Sequence, residues 1–448
     1  MHKLILYLLL LLSHMFSQTI DYENALELSL KNSKKLQSQE LTIESSKLDI
    51  QKVKSFSYGE MNLSHEMSRT NHAGYVFNSK LSSREASFND FGASKYKGAS
   101  TIDIIPNNLN NPDSRNNFNT KVTYDIPLFT GFKLQNQEDI LKIKHKAQLV
   151  KLKLDEKSLE FEVLKAYNAA VVAKEFIKAS KKAKESVSLL VLAANEFYKE
   201  GLATKIDKKQ ARVQELNVQS QIIEANNKLD IALAYLRFLT SNEKIEDVKT
   251  LKLFSTPKAN LEKLYEKALK NRDDLKMLEF SKIGMKKNVH LNKASYYPTV
   301  YSRLEYGFND DSITFDSEKD YYMGMLGVKY TLFNNSRDKD VQKSQIALNK
   351  TILNLNELKE AIKLEVRKSM LNLNAKNKIF KEKKEVKELS FEVLEQAKLM
   401  YKNQLISMTD LLKQEASFRG NEASLIMAKY EQSLAQARLN LVIGQNLK

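Results

Sequence analysis

Apolar residues along two long stretches of the chain follow the heptad spacing of coiled-coil helices. The first stretch runs from Lys133 to about residue 199 and the second from Asn335 to about residue 402, and neither contains glycine or proline. A helix of that length would extend for about 100 Å at 1.5 Å per residue. Globular helices rarely become so long, so the pattern predicts two coiled-coil helices.

The first long stretch carries two apolar seams on different flanks. A helix in a simple pair needs one seam, whereas two seams suit a helix with neighbours on both sides. The pattern favours a closed ring of helices, although a packed bundle also uses wide apolar faces. One seam holds Ile140, Ile143, Ala147, Val150, Leu154, Phe161, Leu164 and Val171, and the other holds Leu149, Leu152, Leu159, Val163, Ala166, Ala170, Ala173 and Ile177.

Four short segments change to an alternation of apolar and polar residues, which is typical of strands. Strands of about ten residues can cross a membrane when tilted, with apolar side chains toward lipid and polar ones toward a lumen. An ordinary soluble sheet with one buried face alternates in the same way. Four strands are too few to close a barrel, so the membrane interpretation requires several copies of the chain. Three copies would supply twelve strands.

The chain repeats this order of elements, because three sequence matches recur in the same order in its two halves. They pair Leu30–Leu36 with Leu269–Leu275, Tyr124–Phe129 with Tyr330–Phe333, and Tyr198–Leu202 with Tyr401–Leu405. The first predicted repeat, 18–240, contains a helix at 21–56, strands at 58–67 and 119–128 around an inserted loop at 68–118, and helices at 133–200 and 205–239. A polar connector follows at 241–258. The second repeat, 259–448, contains a helix at 259–294, strands at 298–308 and 321–332, and helices at 335–402 and 406–443.

Composition narrows the possible functions. Residues 1–17 are predicted to be a secretory signal ending at Ser17, with a short membrane anchor as the alternative. The absence of cysteine excludes disulfides and thiolate chemistry. The net charge of +16 comes from lysines interleaved with glutamates, which indicates solvated helix faces and no nucleic-acid partner. Metal, nucleotide and nucleophile motifs are absent from the sequence, so we expect neither an enzyme nor a cofactor.

Three motifs resemble the TolC-like outer-membrane efflux protein family. They are the Leu-Phe pair before each long helix, an Ala-Leu-x-Asn helix opening and a Tyr-x-x-Gly-Leu…Asp turn. The residues concerned are Leu128, Phe129, Leu332, Phe333, Ala268, Leu269, Asn271, Tyr198, Gly201, Leu202 and Asp207. The resemblance implies a mainly α fold with a small β part. In such a homotrimer, long antiparallel helices form an α-barrel and four strands per protomer contribute to a 12-stranded transmembrane β-barrel.

The resemblance also implies a function and partners. The protein would be an outer-membrane exit channel with its helical tunnel in the periplasm, and it would conduct substrates passively. It would serve a tripartite efflux or type I secretion system together with a periplasmic adaptor protein and an inner-membrane pump or ABC exporter. The alternative is a periplasmic coiled-coil scaffold or adhesin without channel activity.

The turns that follow the long helices would form the periplasmic tip. In the first repeat the turn contains Gly201 and Leu202, and glycine suits a helix end because it adopts positive φ easily. The matching turn of the second repeat contains Gln404 and Leu405, so the second turn has room to differ from the first.

Candidate pore residues also come from the resemblance. The family's acidic ring at the tip falls on Asp410, and a second acidic position falls on Lys413. Asp207 and Tyr401 match a pair that holds the closed state, whereas Ile406 stands where a further partner would be an arginine. A carboxylate ring in a narrow pore favours cations. Asp207 and Asp410 also suit a role as caps of the helix that follows; the cap role is favoured for Asp207 and is the alternative for Asp410.

Overall fold

The computed structural model describes residues 18–257 and 259–447, so the predicted signal at 1–17 lies outside the described residues. The elements of the first repeat follow the order helix, strand, strand, long helix, helix. They are β1 (Gln18–Ile20), α1 (Tyr22–Asn32), α2 (Lys34–Ser55), β2 (Glu60–Thr70), α3 (Ala73–Ser82), α4 (Asn107–Asn110), β3 (Arg115–Phe129), α5 (Lys133–Lys199) and α6 (Lys205–Thr240).

The second repeat has the same order, apart from the short elements between its two strands. Its elements, with the strand that precedes it, are β4 (Ile245–Val248), α7 (Leu261–Asn271), α8 (Asp273–Lys293), β5 (Thr299–Asp310), β6 (Asp320–Lys329), α9 (Arg337–Lys402) and α10 (Met408–Val442). The long helices α5 and α9 contain 67 and 66 residues. None of the described helices is both long enough and apolar enough to cross a bilayer.

Three features differ from the sequence prediction. The helix expected at 21–56 is divided at Ser33, and the helix expected at 259–294 is divided at Arg272, which is the matching position of the second repeat. Both residues leave the helix with extended backbone, at ψ 113° and 129°. The connector contains β4, and the loop expected at 68–118 contains α3 and α4 between longer strands. Neither division falls at a glycine or proline, so the sequence held no breaker there.

The chain forms two compact units, and the first comprises the described residues of Met1–Ile43, Ala147–Glu279 and Leu353–Lys448. Its main core surrounds Tyr22, Tyr167 and Leu236, which are almost fully buried. The Tyr22 hydroxyl donates a hydrogen bond to the Leu447 carbonyl at 3.0 Å. The central part of the second predicted seam of α5, including Val163 and Ala170, is buried in the same core.

The second unit comprises Glu44–Lys146 and Phe280–Ile352 and contains the main sheet. Four antiparallel strands lie in the order β2-β3-β5-β6. The two hairpins of the repeats therefore join edge to edge through β3 and β5. Strands β2 and β6 are the edges, and within the described part of the chain their outer backbone groups pair with no further strand.

Candidate pore surfaces and tip turns

One face of the sheet is apolar in register across its strands. Met61 lies opposite Tyr124, which lies opposite Leu304, and the next row joins Leu63, Val122 and Tyr306. Five of these six side chains are exposed in the single chain, including Leu63 with 74% accessible, and Tyr124 is half-buried. The pattern is what a lipid-facing surface requires. The apolar face comprises Met61, Leu63, Met67, Phe118, Val122, Tyr124, Ile126, Leu304, Tyr306, Phe308, Leu326 and Val328.

His65 is a polar residue that lies between Leu63 and Met67 on this face of β2. Its partner across the strands is Thr120, and the two side chains form a 2.7 Å hydrogen bond between Nδ1 and Oγ1. A hydrogen bond between two polar side chains of this face satisfies part of the requirement of each, so His65 and Thr120 can lie among apolar neighbours.

The opposite face of the sheet is polar, and its charged groups pair across strands. Arg303 on β5 donates to both carboxylate oxygens of Asp125 on β3, at 2.6 and 3.1 Å. Lys121 lies 3.8 Å from Glu305, which also accepts a 2.8 Å hydrogen bond from the Tyr321 hydroxyl. This network links β3, β5 and β6 by groups that suit contact with water, as the wall of an aqueous lumen requires.

The two tip turns have the same backbone geometry. Gly201 adopts φ +73°, and Gln404, the matching residue of the second repeat, adopts φ +58°. In each turn the next residue donates its N–H to a carbonyl five residues earlier, Leu202 to Phe197 at 2.7 Å and Leu405 to Met400 at 2.8 Å. These bonds close the C-terminal end of α5 and of α9. The replacement of glycine by glutamine therefore leaves the turn unchanged, and its hydrogen bonds offset the strain of the left-handed backbone.

The acidic residues at the tip each complete a capping box at the start of the next helix. The Asp207 carboxylate accepts hydrogen bonds from the Thr204 hydroxyl and N–H at 2.7 and 2.8 Å. Asp410 accepts from the Ser407 hydroxyl at 2.6 Å and its N–H at 3.3 Å. The hydroxyl and then the N–H hold the pKa of Asp410 below its ordinary value, so this exposed carboxylate is ionised at neutral pH. Both aspartates thus cap the helix that follows, and Asp410 remains accessible to solvent.

The remaining candidate tip residues lie around a small apolar core between the two turns. Tyr401 packs its ring against Phe197, with the ring centres 5.5 Å apart. Its hydroxyl is buried and has no hydrogen-bond partner among the described residues, including Asp207. Burial, followed by the charge of Asp207, raises the pKa of Tyr401. Lys413 is exposed on α10. The structure thus brings Tyr401 near Asp207 but forms no bond between them.

Sequence reasoning missed one buried carboxylate close to the tip. Glu415 on α10 is 2% exposed, and it accepts a 3.3 Å hydrogen bond from Gln214 on α6. Arg419 lies 3.5 Å away on the next turn. Burial raises the pKa of Glu415. The one signal in the sequence is that Glu415 lies at heptad spacing from the apolar residues Leu411 and Met408. Many solvent-exposed glutamates show the same spacing, so it does not identify Glu415 as buried.

Comparison with known proteins decides the family. A family model described as "Outer membrane efflux protein" matches residues 25–242 and 264–445. The chain belongs to the outer membrane efflux protein family. The protein is therefore an outer-membrane exit channel for efflux, and its helical tunnel lies in the periplasm. This function excludes the alternative of a periplasmic coiled-coil scaffold or adhesin, which would have no channel activity.

Solved structures of outer-membrane channels share the fold across almost the whole chain. The Campylobacter jejuni CmeC outer membrane channel matches with 16% identity and a TM-score of 0.78, covering 94% of this chain and 85% of that chain. VceC from Vibrio cholerae matches with 13% identity and a TM-score of 0.77, covering 95% and 97%. The open-state MtrE channel of Neisseria gonorrhoeae matches with 13% identity and a TM-score of 0.77, covering 95% and 89%. No curated protein matches. The mainly helical TolC-like fold is thus confirmed.

Proposed function

We propose that three copies of the chain form the exit duct of a tripartite export system. Their twelve strands close one transmembrane barrel, and their helices close one periplasmic tunnel. A periplasmic adaptor and an inner-membrane pump or ABC exporter deliver the cargo, which crosses the duct passively. The cargo is either a small molecule or a secreted protein, and the inner-membrane partner determines which.

The two faces and two open edges of the sheet carry this proposal. The apolar face suits lipid and the polar face suits water, but four strands cannot enclose a lumen. In lipid, the unpaired backbone groups of β2 and β6 would each cost several kcal/mol. Pairing β2 of one copy with β6 of the next removes both edges. Three copies give twelve strands, which enclose an interior wider than side chains can fill.

Uncovered apolar stripes on the helices of the first unit support the same assembly. On α6, Ile206 is 66% exposed and Val213, one heptad later, is also exposed. The stripe continues through Leu216, Ile223, Ile231 and Phe238. On α9 the exposed stripe comprises Leu353, Leu364, Leu371 and Leu389. Contiguous apolar stripes of this extent are typical of contact surfaces, and neighbouring helices of a ring would cover them.

At the tip, the proposed constriction consists of three copies of Asp410, with Lys413 one turn further along α10. Three ionised carboxylates in a narrow pore produce a negative potential that favours cations. Asp207 and Tyr401 are the proposed closed-state contacts. The buried hydroxyl of Tyr401 supports this role, because a buried donor without a partner costs about 1–3 kcal/mol and gains from any acceptor that the assembly supplies.

Engineered disulfides between sheet edges test the proposed closure, and the native chain contributes no competing cysteine. Asn62→Cys on β2 would be combined in turn with Tyr321→Cys, Met323→Cys or Met325→Cys on β6, since all four side chains lie on the polar face. We expect one combination to produce covalent trimers on oxidation in outer membranes. Thr123→Cys, which lies on the same polar face but on the inner strand β3, is the control when paired with the same β6 variants and should remain monomeric. Failure of every edge combination would contradict the proposed closure.

A further inference from the structure

The hairpin link of the first repeat, residues 71–114, folds onto the polar face of the sheet; we call it the insertion. Arg115 and Asn117 alternate with the apolar-face residue Phe118, so their side chains project from the polar face. Both bond α3 of the insertion. The Ser79 hydroxyl donates to the Asn117 side-chain oxygen at 3.0 Å, and Arg115 donates to the hydroxyls of Ser79 and Ser83 at 3.2 and 2.9 Å. Helix α3 therefore lies on the polar side.

The covered part of the sheet is its outer end, which we define as the end opposite the junctions with α2 and α5. Here β2 ends at Thr70 and β3 begins at Arg115, and these two residues are paired. On the polar face Asn309 of β5 is only 6% exposed at this end. Helix α3 contacts β5 there, and its own Val76 is 3% exposed. The insertion is thus packed onto the sheet and is not a free loop.

A set of ion pairs and hydrogen bonds, which we call the clamp, holds the C-terminal end of α3 against the turn between β5 and β6. This turn lies next to the edge strand β6. Lys319 donates to the Ser83 carbonyl and to the Glu85 carboxylate, both at 2.8 Å. Glu85 also pairs with Arg115. The neighbouring Arg84 donates to the carbonyls of residues 318 and 320 at 2.8 and 2.6 Å. These bonds hold the insertion from β3 across to β6.

We propose that the insertion forms a fixed constriction at the outer mouth of the pore and sets the largest solute that can leave. The inference rests on the proposed barrel closure, in which the polar face lines the lumen. A helix on that face is about 10 Å wide with its side chains, and a trimer would carry three of them. Hairpin links need only about 2–5 residues, so a link of this size calls for a function. The second repeat uses only residues 311–319 for its link.

Shortening the insertion is the direct test. Residues 71–114 would be replaced by Asn-Gly, because the paired residues Thr70 and Arg115 accept a two-residue turn. We expect the purified trimer to show higher single-channel conductance in planar bilayers. It should also admit larger poly(ethylene glycol) molecules from the side on which the outer end lies. Unchanged conductance and unchanged polymer exclusion in an intact trimer would overturn the constriction.

A second variant keeps the full length of the insertion and weakens only the clamp. Arg115→Met combined with Lys319→Met removes both cations that hold Glu85. We expect higher or fluctuating conductance, and constant wild-type conductance would count against the clamp even if the shortened chain failed to assemble. Lys95→Met combined with Lys97→Met is the matched control for charge, because both lysines are exposed in the insertion and neither side chain forms an ion pair among the described residues. A monomeric wild type would instead contradict the proposed trimer.

Discussion

In the first repeat 44 residues, 71–114, connect β2 to β3, whereas the nine residues 311–319 connect β5 to β6 in the second repeat. The two tip turns, in contrast, have the same geometry although their sequences differ. Gly201 and Gln404 share one backbone conformation, and both following helices begin with a capping box. The tip thus keeps its geometry despite a sequence change, while the outer end has acquired a new element. We infer that packing against neighbouring helices constrains the geometry of each tip turn. The link between β2 and β3 has no such constraint and serves a different function.

We expect the largest effect from disrupting the lipid-facing apolar surface, which both hairpins share. Val122→Lys combined with Tyr124→Lys places two charges on the apolar face of β3. Each lysine costs about 2–4 kcal/mol at the middle of a bilayer, so we expect the protein to be lost from outer-membrane fractions.

The control for that experiment is Thr123→Lys, which puts a single lysine on the polar face of the same strand. This variant should assemble normally, since lysine at a lumen wall remains in water. Normal assembly of the double variant, measured by membrane fractionation and heat-modifiable migration, would show that this strand does not face lipid.

The duplicated capping boxes separate the pore role of Asp410 from its cap role. Asp410→Ala removes one capping box and the proposed ring charge, whereas Asp207→Ala removes the other capping box and a proposed closed-state contact but no ring charge. Both should lower stability by about 1 kcal/mol. Reversal potentials in planar bilayers should show reduced cation selectivity only for Asp410→Ala. Equal selectivity in the two variants would remove Asp410 from the constriction.

Exchange of the turn residues tests the equivalence of the two tips. Gly201→Gln should cost about 1 kcal/mol, because glutamine must adopt the left-handed backbone that glycine adopts freely. No heavy atom lies within 4 Å of a Cβ built at Gly201, so steric conflict contributes nothing. Gln404→Gly should raise stability or leave it unchanged. The measurement is the temperature of trimer dissociation, and a stabilising Gly201→Gln would contradict the shared geometry.

Acid should loosen the insertion over a defined range. Burial opposes ionisation of Glu85, but Lys319 and Arg115 outweigh it and lower the pKa of Glu85 from 4.5 to about 2. Asp310, Asp311 and Asp320 are the other charged groups around the two cations and Arg84. Because the folded pKa is lowered, the stabilisation by Glu85 is complete above pH 4.5 and is lost as the pH falls toward 2.

Conductance recorded against pH gives the readout for this smallest effect. It should stay constant down to about pH 4.5 and rise below that value. Glu85→Gln should show the loosened conductance already at neutral pH. A pH-independent wild-type conductance over the whole range would mean that Glu85 does not hold the insertion.

Periodicity in the sequence was sufficient to predict the long helices and the four strands, and three ordered sequence matches were sufficient to predict the duplication. It could not predict β4, whose four residues are too few to show a pattern. The divisions at Ser33 and Arg272 depend on contacts with distant segments, such as the 2.8 Å hydrogen bond from Asn32 to the Thr240 carbonyl. The clamp of the insertion joins Glu85 to Lys319, which are far apart in sequence, so local sequence patterns predict only a loop there.

The native mass of the protein extracted in detergent from isolated outer membranes tests the central claim most directly. We expect three times the mass of a single mature chain, because only several copies can remove the open edges of β2 and β6. A monomer in the outer-membrane extract would contradict the account, since four strands cannot enclose a pore.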